Sequence, residues 1–362
     1  MPRLEKSETG EPLRILCIGG GTGLSTILQG LKAYSEHRHE REQHRVMPSL
    51  PADVRCVITA MVTVTDDGGS SGRLRRELGV LPPGDIRNCM VALSEDEALL
   101  GKLFQYRFDS GRGLKGHSFG NLFLTAMTKL TGDFAHAIQV SSEVLAIAGH
   151  IFPATASKTV LEATLRDGKV IVGESNISKS KARIEQIRLR PANPPPLEET
   201  MAAIASADLI TLGPGSLFTS VIPNLLVDGI PAAIRKSKAV KAYFCNLMWQ
   251  PGETIEYRAS DHVEAIDRHA GGPLLDCVIV NTRLVTAPLQ RKYAKQRALP
   301  VEADCDRLER MGLRIVELDL LADSDKARHD PARAAEIAMR LALMSRRRNT
   351  RASLLQAKSA KR

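Results

Sequence analysis

Aliphatic runs closed off by glycine, serine or proline recur along the chain, and apolar residues at helical spacing fill the stretches between them. Residues 13–18 (LRILCI) form a short apolar run that ends in a glycine cluster, the pattern of a strand buried on both faces. Residues 26–34 (TILQGLKAY) return to helical spacing. Residues 54–65 (VRCVITAMVTVT) predict a second strand, which runs into Asp66-Asp67-Gly68-Gly69-Ser70-Ser71-Gly72. Helices are predicted over 85–93, over 97–104 with Ser94 as cap, and over 117–130 and 134–148. Residues 159–165 and 170–173 flank the turn Arg166-Asp167-Gly168-Lys169 and predict a β-hairpin. Further strands are expected at 184–189, 207–212, 232–235, 241–246, 276–281 and 314–318, with helices at 198–205, 262–269 and 331–344. Strands alternating with helices predict an α/β fold, a doubly wound and mostly parallel sheet flanked by helices, with the hairpin as a small excursion.

Composition narrows this picture. A length of 362 residues suits one large domain with appendages. The division expected is a disordered N-terminus (1–12), an α/β domain (13–345) and a basic, disordered tail (346–362). Aromatics make up only 4%, with a single Trp, so aliphatic side chains must fill the core. No run of about 18 apolar residues predicts a membrane span, and the polar N-terminus lacks the apolar stretch of a signal peptide. The six cysteines are widely spaced, and Cys17, Cys56 and Cys277 sit in strand-like runs. They read as buried hydrophobes in a reducing cytoplasm. The net charge of +9 comes mostly from residues 346–362, which carry seven Lys/Arg and no acid. With no aromatic interleaved, that tail predicts no specific nucleic-acid partner. The insertion at 35–52, with His37, His39 and His44 among arginines and glutamates, reads as a surface loop rather than a metal site.

The candidate chemistry lies where strands end. In a doubly wound sheet, ligands bind at the carboxyl edge of the strands. The first loop there is Gly19-Gly20-Gly21-Thr22-Gly23-Leu24-Ser25. Its glycines permit close backbone approach to a phosphate, the following helix offers unpaired N–H groups, and Thr22 and Ser25 add hydroxyls. It matches neither the dinucleotide fingerprint nor the P-loop. In the second, Asp66 and Asp67 suit a ribose hydroxyl or a divalent cation, Gly69 and Ser70 belong to a mobile loop, and Arg73 supplies positive charge. In the third (82–88, PPGDIRN), Asp85 either caps its own helix or meets a ligand, while Arg87 and Asn88 lie in the first turn. The fourth, Gly213-Pro214-Gly215-Ser216 with Thr219 beyond it, repeats the design of the first. Two such loops could hold both phosphates of a diphosphate, or one phosphate and a sugar. In GHSFGN (116–121), Ser118 fits a cap, and His117 is either structural or at the mouth of the site.

In this order, GGGTGLS, TVTDDGGSSGRLR, PPGDIRNC, HSFGNLFL, GPGSLFTSVIPNLL and CNLMWQPGET resemble the gluconeogenesis factor family (YvcK type). That family shares a superfamily with the 2-phospho-L-lactate transferases (CofD). The resemblance covers roughly residues 13–320 and His329-Asp330-Pro331 with the helix behind it. It implies a Rossmann-like fold and a cytoplasmic bacterial protein that binds a nucleotide-sugar such as UDP-N-acetylglucosamine. It also implies a link to cell shape and cell-wall precursors on gluconeogenic carbon sources, with regulatory protein partners and a homodimer left open. The ligand-binding set expected comprises Gly20, Gly21, Thr22, Gly23, Asp66, Asp67, Gly69, Ser70, Arg73, Asp85, Arg87, Asn88, His117, Asn121, Gly213, Gly215, Ser216, Thr219 and Asn246. The transferase branch implies the alternative of a Mg²⁺-dependent transferase, with Asp66 and Asp67 as catalytic or metal-facing candidates and no other cofactor. A dinucleotide such as NAD is a third occupant for the same pocket. The chain departs from the transferases at GPGSLFTS, and Trp249 stands where many gluconeogenesis factors carry Thr.

Overall fold

The computed structural model describes residues 11–35, 50–51, 53–95, 99–180 and 182–359. The expected disorder at 1–10 and the three histidines of the 35–52 insertion lie outside these residues. The strands are β1 (Leu13–Gly19), β2 (Cys56–Val62), β3 (His150–Pro153), β4 (Val160–Leu165), β5 (Val170–Val172), β6 (Ile184–Arg190), β7 (Leu209–Leu212), β8 (Val240–Phe244), β9 (Cys277–Asn281) and β10 (Arg314–Leu318). Seven of them form one sheet in the order β10-β9-β8-β7-β1-β2-β3, and every pairing in it is parallel. β5-β4-β6 make a separate antiparallel sheet that contains the predicted hairpin.

The central strands are buried on both faces because helices or the small sheet cover each side. Along β1, Ile15 and Cys17 join one core with the helices Gly21–Leu31, Gly84–Leu93 and Pro331–Ser359. Leu16 and Ile18 join the other, with the small sheet and the helices Glu198–Ser206 and Ala259–Ala270. This two-sided burial is why the strands read as continuous aliphatic runs instead of alternating ones. All six cysteines are free and five are buried, as expected of small hydrophobes. No single helix among the described residues is long and apolar enough to cross a membrane.

Four expectations change. Residues 232–235 belong to the helix Ile230–Lys236, not to a strand; Pro231 sits in its first turn and only Ile230 and Ile234, one helical turn apart, are buried. The helix expected to reach 148 ends at Val144, and an unpredicted edge strand, β3, follows. Ser94 terminates the helix Gly84–Leu93 and bridges Ile147 rather than capping the next helix. The basic segment continues the last helix to Ser359. The Arg346 guanidinium donates to Asp208 Oδ1 at 3.1 Å and to the carbonyls of Glu11 and Pro12 at 2.6 and 2.7 Å, while Arg348 and Asn349 both donate to the Lys238 carbonyl. A charged fork with a carboxylate and two carbonyls in reach, and a third carbonyl shared by Arg348 and Asn349, anchors the start of a segment that composition alone assigns to solvent.

The last helix crosses the glycine-loop helix at Gly30, where a Cβ would collide with the Pro331 carbonyl oxygen. Gly30→Ala is therefore expected to cost about 1–3 kcal/mol through overpacking, despite alanine's better helix propensity. Urea denaturation followed by circular dichroism checks this; an unchanged or raised midpoint would refute it.

Candidate functional site

β1 and β7 are neighbours, and the strand order reverses between them. Their loops leave the sheet side by side, where a doubly wound fold opens a crevice. After β1, Gly20 is extended and the helix Gly21–Leu31 begins with no side-chain cap and no acid in its first turn. Gly21 has φ +62°, a left-handed conformation that glycine adopts without steric cost. A Cβ on Gly23 would run into the Pro214 carbonyl, so the two loops meet backbone to backbone. The Thr22 side is exposed, whereas the Ser25 hydroxyl turns back to the Gly21 carbonyl at 3.1 Å and offers no free donor.

The second loop is not a copy of the first. Its N–H groups already have acceptors: Gly215 N–H reaches Asn246 Oδ1 at 3.5 Å, Leu217 N–H reaches Gln250 Oε1 at 3.3 Å, and Phe218 N–H reaches Glu253 Oε2 at 3.0 Å. The Thr219 hydroxyl donates to Glu253 Oε1 at 3.0 Å and is buried, so this candidate holds the loop in place. Gln250 also donates to Ser216 Oγ at 2.9 Å. Gly213 (φ +70°) makes the bend that starts the loop.

Both loops line a cavity of about 450 Å³. Gly20, Gly21, Thr22, Gly23, Gly215, Ser216 and Asn246 face it from the predicted set. The same cavity is also lined by Trp249, Gln250, Tyr293, Gln296, Arg328 and His329. A larger hollow of about 670 Å³ lies at the amino ends of β2 and β3, away from the glycine loops.

The remaining candidates form a second cluster that does not line the cavity. His117 Nδ1 and Ser70 Oγ are 3.0 Å apart and both residues are buried. Asn121 donates to Ser71 Oγ at 3.3 Å, and Arg87 spans Ser118 Oγ and Asn88 Oδ1, each at 2.7 Å. Arg73 holds the Lys115 carbonyl at 2.7 Å. Gly69, at the head of the helix Gly69–Leu78, has open space around its Cβ position. Ser118 caps the helix Phe119–Thr131 as predicted.

Asp85 joins the two regions. It does not cap its own helix, whose N-cap is Pro83. Its carboxyl instead lies against Gly20, 2.5 Å from where a Cβ would sit, and accepts a hydrogen bond from Gly21 N–H. Desolvation, then the nearby Asp66 charge, pushes its pKa up to about 7. Glu174, which sequence reasoning missed, is raised to about 9 by burial and then by Asp66, Asp85, Glu253 and Asp67. Glu253 is also raised by burial, against the bonds from Phe218 and Thr219. His117 is lowered by burial and then by Arg73.

The adjacent Asp66 and Asp67 part company. Asp67 Oδ1 accepts from Ser175 N–H at 2.8 Å and serves the helix Glu174–Ile177. Asp66 Oδ1 accepts from Gly68 N–H at 2.9 Å, and its other oxygen lies beside Gly84. Among the described residues no three His, Cys, Asp or Glu side chains converge on one metal position. Asp66 and Asp85, whose charges oppose each other, still fit Mg²⁺, an ion that commonly uses one or two carboxylates together with phosphate oxygens. Asp67 does not.

A family model described as 2-phospho-L-lactate transferase CofD matches residues 15–321. A gluconeogenesis factor of Bacillus subtilis is 46% identical over 91% of this chain and 98% of its own length. A protein of Nostoc sp. named as a putative gluconeogenesis factor is 49% identical over 90% of this chain and 68% of its own length. A crystal structure of a Bacillus halodurans protein superposes with a TM-score of 0.84 at 44% identity, covering 91% of this chain and 100% of that one.

The raised carboxyls set a pH dependence. Asp85 and Glu174 hold their protons more tightly folded than unfolded, so their contribution to stability is full below the usual carboxylate pKa near 4. It is lost as pH rises through about 7 for Asp85 and about 9 for Glu174. Without divalent ions, unfolding free energy should fall between pH 5 and 9, and Glu174→Gln should flatten the slope. Denaturation curves at stepped pH check this; a slope unchanged in the variant would show that Glu174 titrates normally.

Proposed function

The chain belongs to the CofD family, among its gluconeogenesis factors, and on that premise we propose that it binds a UDP-sugar of the UDP-N-acetylglucosamine type, as a regulator rather than a catalyst. The observation that carries the reading is the helix N-terminus at Gly21–Gly23, which has no cap from its own N-cap residue, Gly20, and opens into a cavity of about 450 Å³ at the reversal of strand order. Gly21 N–H serves Asp85, but the N–H groups of the rest of the first turn and the helix dipole favour a phosphate there. The volume falls in the range of small-ligand sites, and Arg328, the one Lys or Arg along its lining among the described residues, suits a diphosphate. The relatives are named for a physiological requirement instead of a reaction, which supports binding over turnover. The biological setting of this reading is control of cell-wall precursor supply and cell shape on gluconeogenic carbon sources.

A second reading, Mg²⁺-dependent group transfer from a nucleotide diphosphate, is favoured by the transferase family model and by the pairing of Asp66 with Asp85 beside the same loop. On that reading Asp66 and Asp85 hold the ion, which neutralises phosphate charge.

Calorimetry against UDP-N-acetylglucosamine, GDP and NAD, with and without Mg²⁺, separates these readings. Binding of the UDP-sugar is expected, weakened at least about tenfold in Gly21→Val and in Arg328→Ala through loss of phosphate contacts. No heat with any UDP-sugar sinks the first reading. Mg²⁺-dependent product that disappears in Asp66→Asn would establish the second, and tighter binding of NAD would point to a dinucleotide site. In cells, wild-type protein but not Gly21→Val should restore normal shape to a deletion strain on a gluconeogenic carbon source.

A further inference from the structure

We propose that Trp249 is the stacking platform for the sugar ring of the ligand, and so sets which nucleotide the cavity prefers. The inference rests on the UDP-sugar reading and specifies one end of the same cavity. Trp249 is the only tryptophan in the chain, and it lines the same cavity as the glycine loops. It is held there from both ends. Its backbone N–H donates to the Leu299 carbonyl at 2.7 Å, and its indole Nε1–H donates to the Tyr257 carbonyl at 2.9 Å. With its one donor spent on the protein, the indole has only its apolar surface to offer a ligand.

The neighbours of Trp249 decide which part of the ligand that surface meets. Asn246 and Gln250 are 3.1 Å apart, and Gln250 continues to Ser216 at 2.9 Å. All three face the cavity, as does Trp249. Gln250 Oε1 is taken by Leu217 N–H and Asn246 Nδ2, and Asn246 Oδ1 by Gly215 N–H, but each amide keeps one N–H, so this uncharged wall still offers donors to a ligand. A pyranose matches such a wall: one face presents C–H groups to an aromatic ring, while its hydroxyls accept hydrogen bonds from amides at the rim. The phosphate-favouring elements, the helix N-terminus at Gly21–Gly23 and the Arg328 guanidinium, are separate parts of the same cavity.

The test compares UDP with UDP-N-acetylglucosamine and UDP-glucose. By calorimetry, Trp249→Ala should weaken both UDP-sugars about three- to tenfold, in line with the worth of an aromatic contact, and leave UDP unchanged. Trp249→Phe should recover most of the loss although it too lacks the indole N–H, which separates stacking from the structural bond to Tyr257. Because the chain has one tryptophan, its fluorescence should respond to the UDP-sugars and much less to UDP. An equal loss for UDP and the UDP-sugars, or no loss, would overturn the proposal while the UDP-sugar reading stands. Wild-type protein that binds no UDP-sugar would remove both, and normal melting of each variant confirms that folding is not what was lost.

Discussion

The backbone contact between Gly23 and the Pro214 carbonyl is the constraint on which the site depends. Reversing the strand order between β1 and β7 forces two strand-to-helix turns to leave the sheet next to each other. Any side chain at Gly23 would wedge these turns apart. With none, the glycine-loop helix can start flush with the sheet edge, and the helix Pro331–Ser359 can lie across it at Gly30. The cavity is what remains above the two turns. The rest of its lining comes largely from later parts of the chain, including Trp249, Gln250, Tyr293, Gln296, Arg328 and His329.

The two glycine loops then divide the work by how their N–H groups are satisfied. The first has no side-chain cap at its N-cap and only the Asp85 carboxyl at Gly21. The second is closed by Asn246, Gln250 and Glu253, all from one short segment after β8. A loop whose donors are already paired gains little from an incoming phosphate, because each new bond replaces an existing one. Of the two alternatives for these loops, two phosphates or one phosphate and a sugar, the unequal pairing of their N–H groups favours the second.

The sheet was legible because two-sided burial writes each parallel strand as an aliphatic run, and the glycine turns follow those runs directly. Misreadings came where local sequence is ambiguous. The short apolar segment at 232–235 resembles a strand until Pro231 and the one-turn spacing of Ile230 and Ile234 are weighed. β3 is four residues long at a sheet edge and carries His150 and Pro153, so it lacks the pattern of its neighbours. The start of the basic segment was invisible as structure because Arg346 is held by Asp208 and the Glu11 and Pro12 carbonyls, far away in sequence. At the site, glycines and hydroxyls could be read from their place after a strand. Glu174 and Glu253 could not, since nothing near them in sequence signals that folding buries them among other acids. The only advance hint for Glu253 was its place in the CNLMWQPGET motif.

Those acids bear on the choice between binding and turnover. A diphosphate seated at Gly21–Gly23 would sit near Asp85, which shares its surroundings with Asp66 and Glu174. Fully ionised, these carboxyls would repel it. The structure offers two ways to lower that repulsion. Burial and mutual repulsion keep protons on Glu174, and partly on Asp85, near neutral pH. Alternatively, a divalent ion between Asp66 and Asp85 would cancel the charge and also bring a Lewis acid to the phosphates. Protonation alone suffices for a site that binds and releases its ligand unchanged. A requirement for the ion would tie the same carboxyls to chemistry. The protonation state of Asp85, poised near 7, is thus where a binding site and a transferase site on this scaffold diverge.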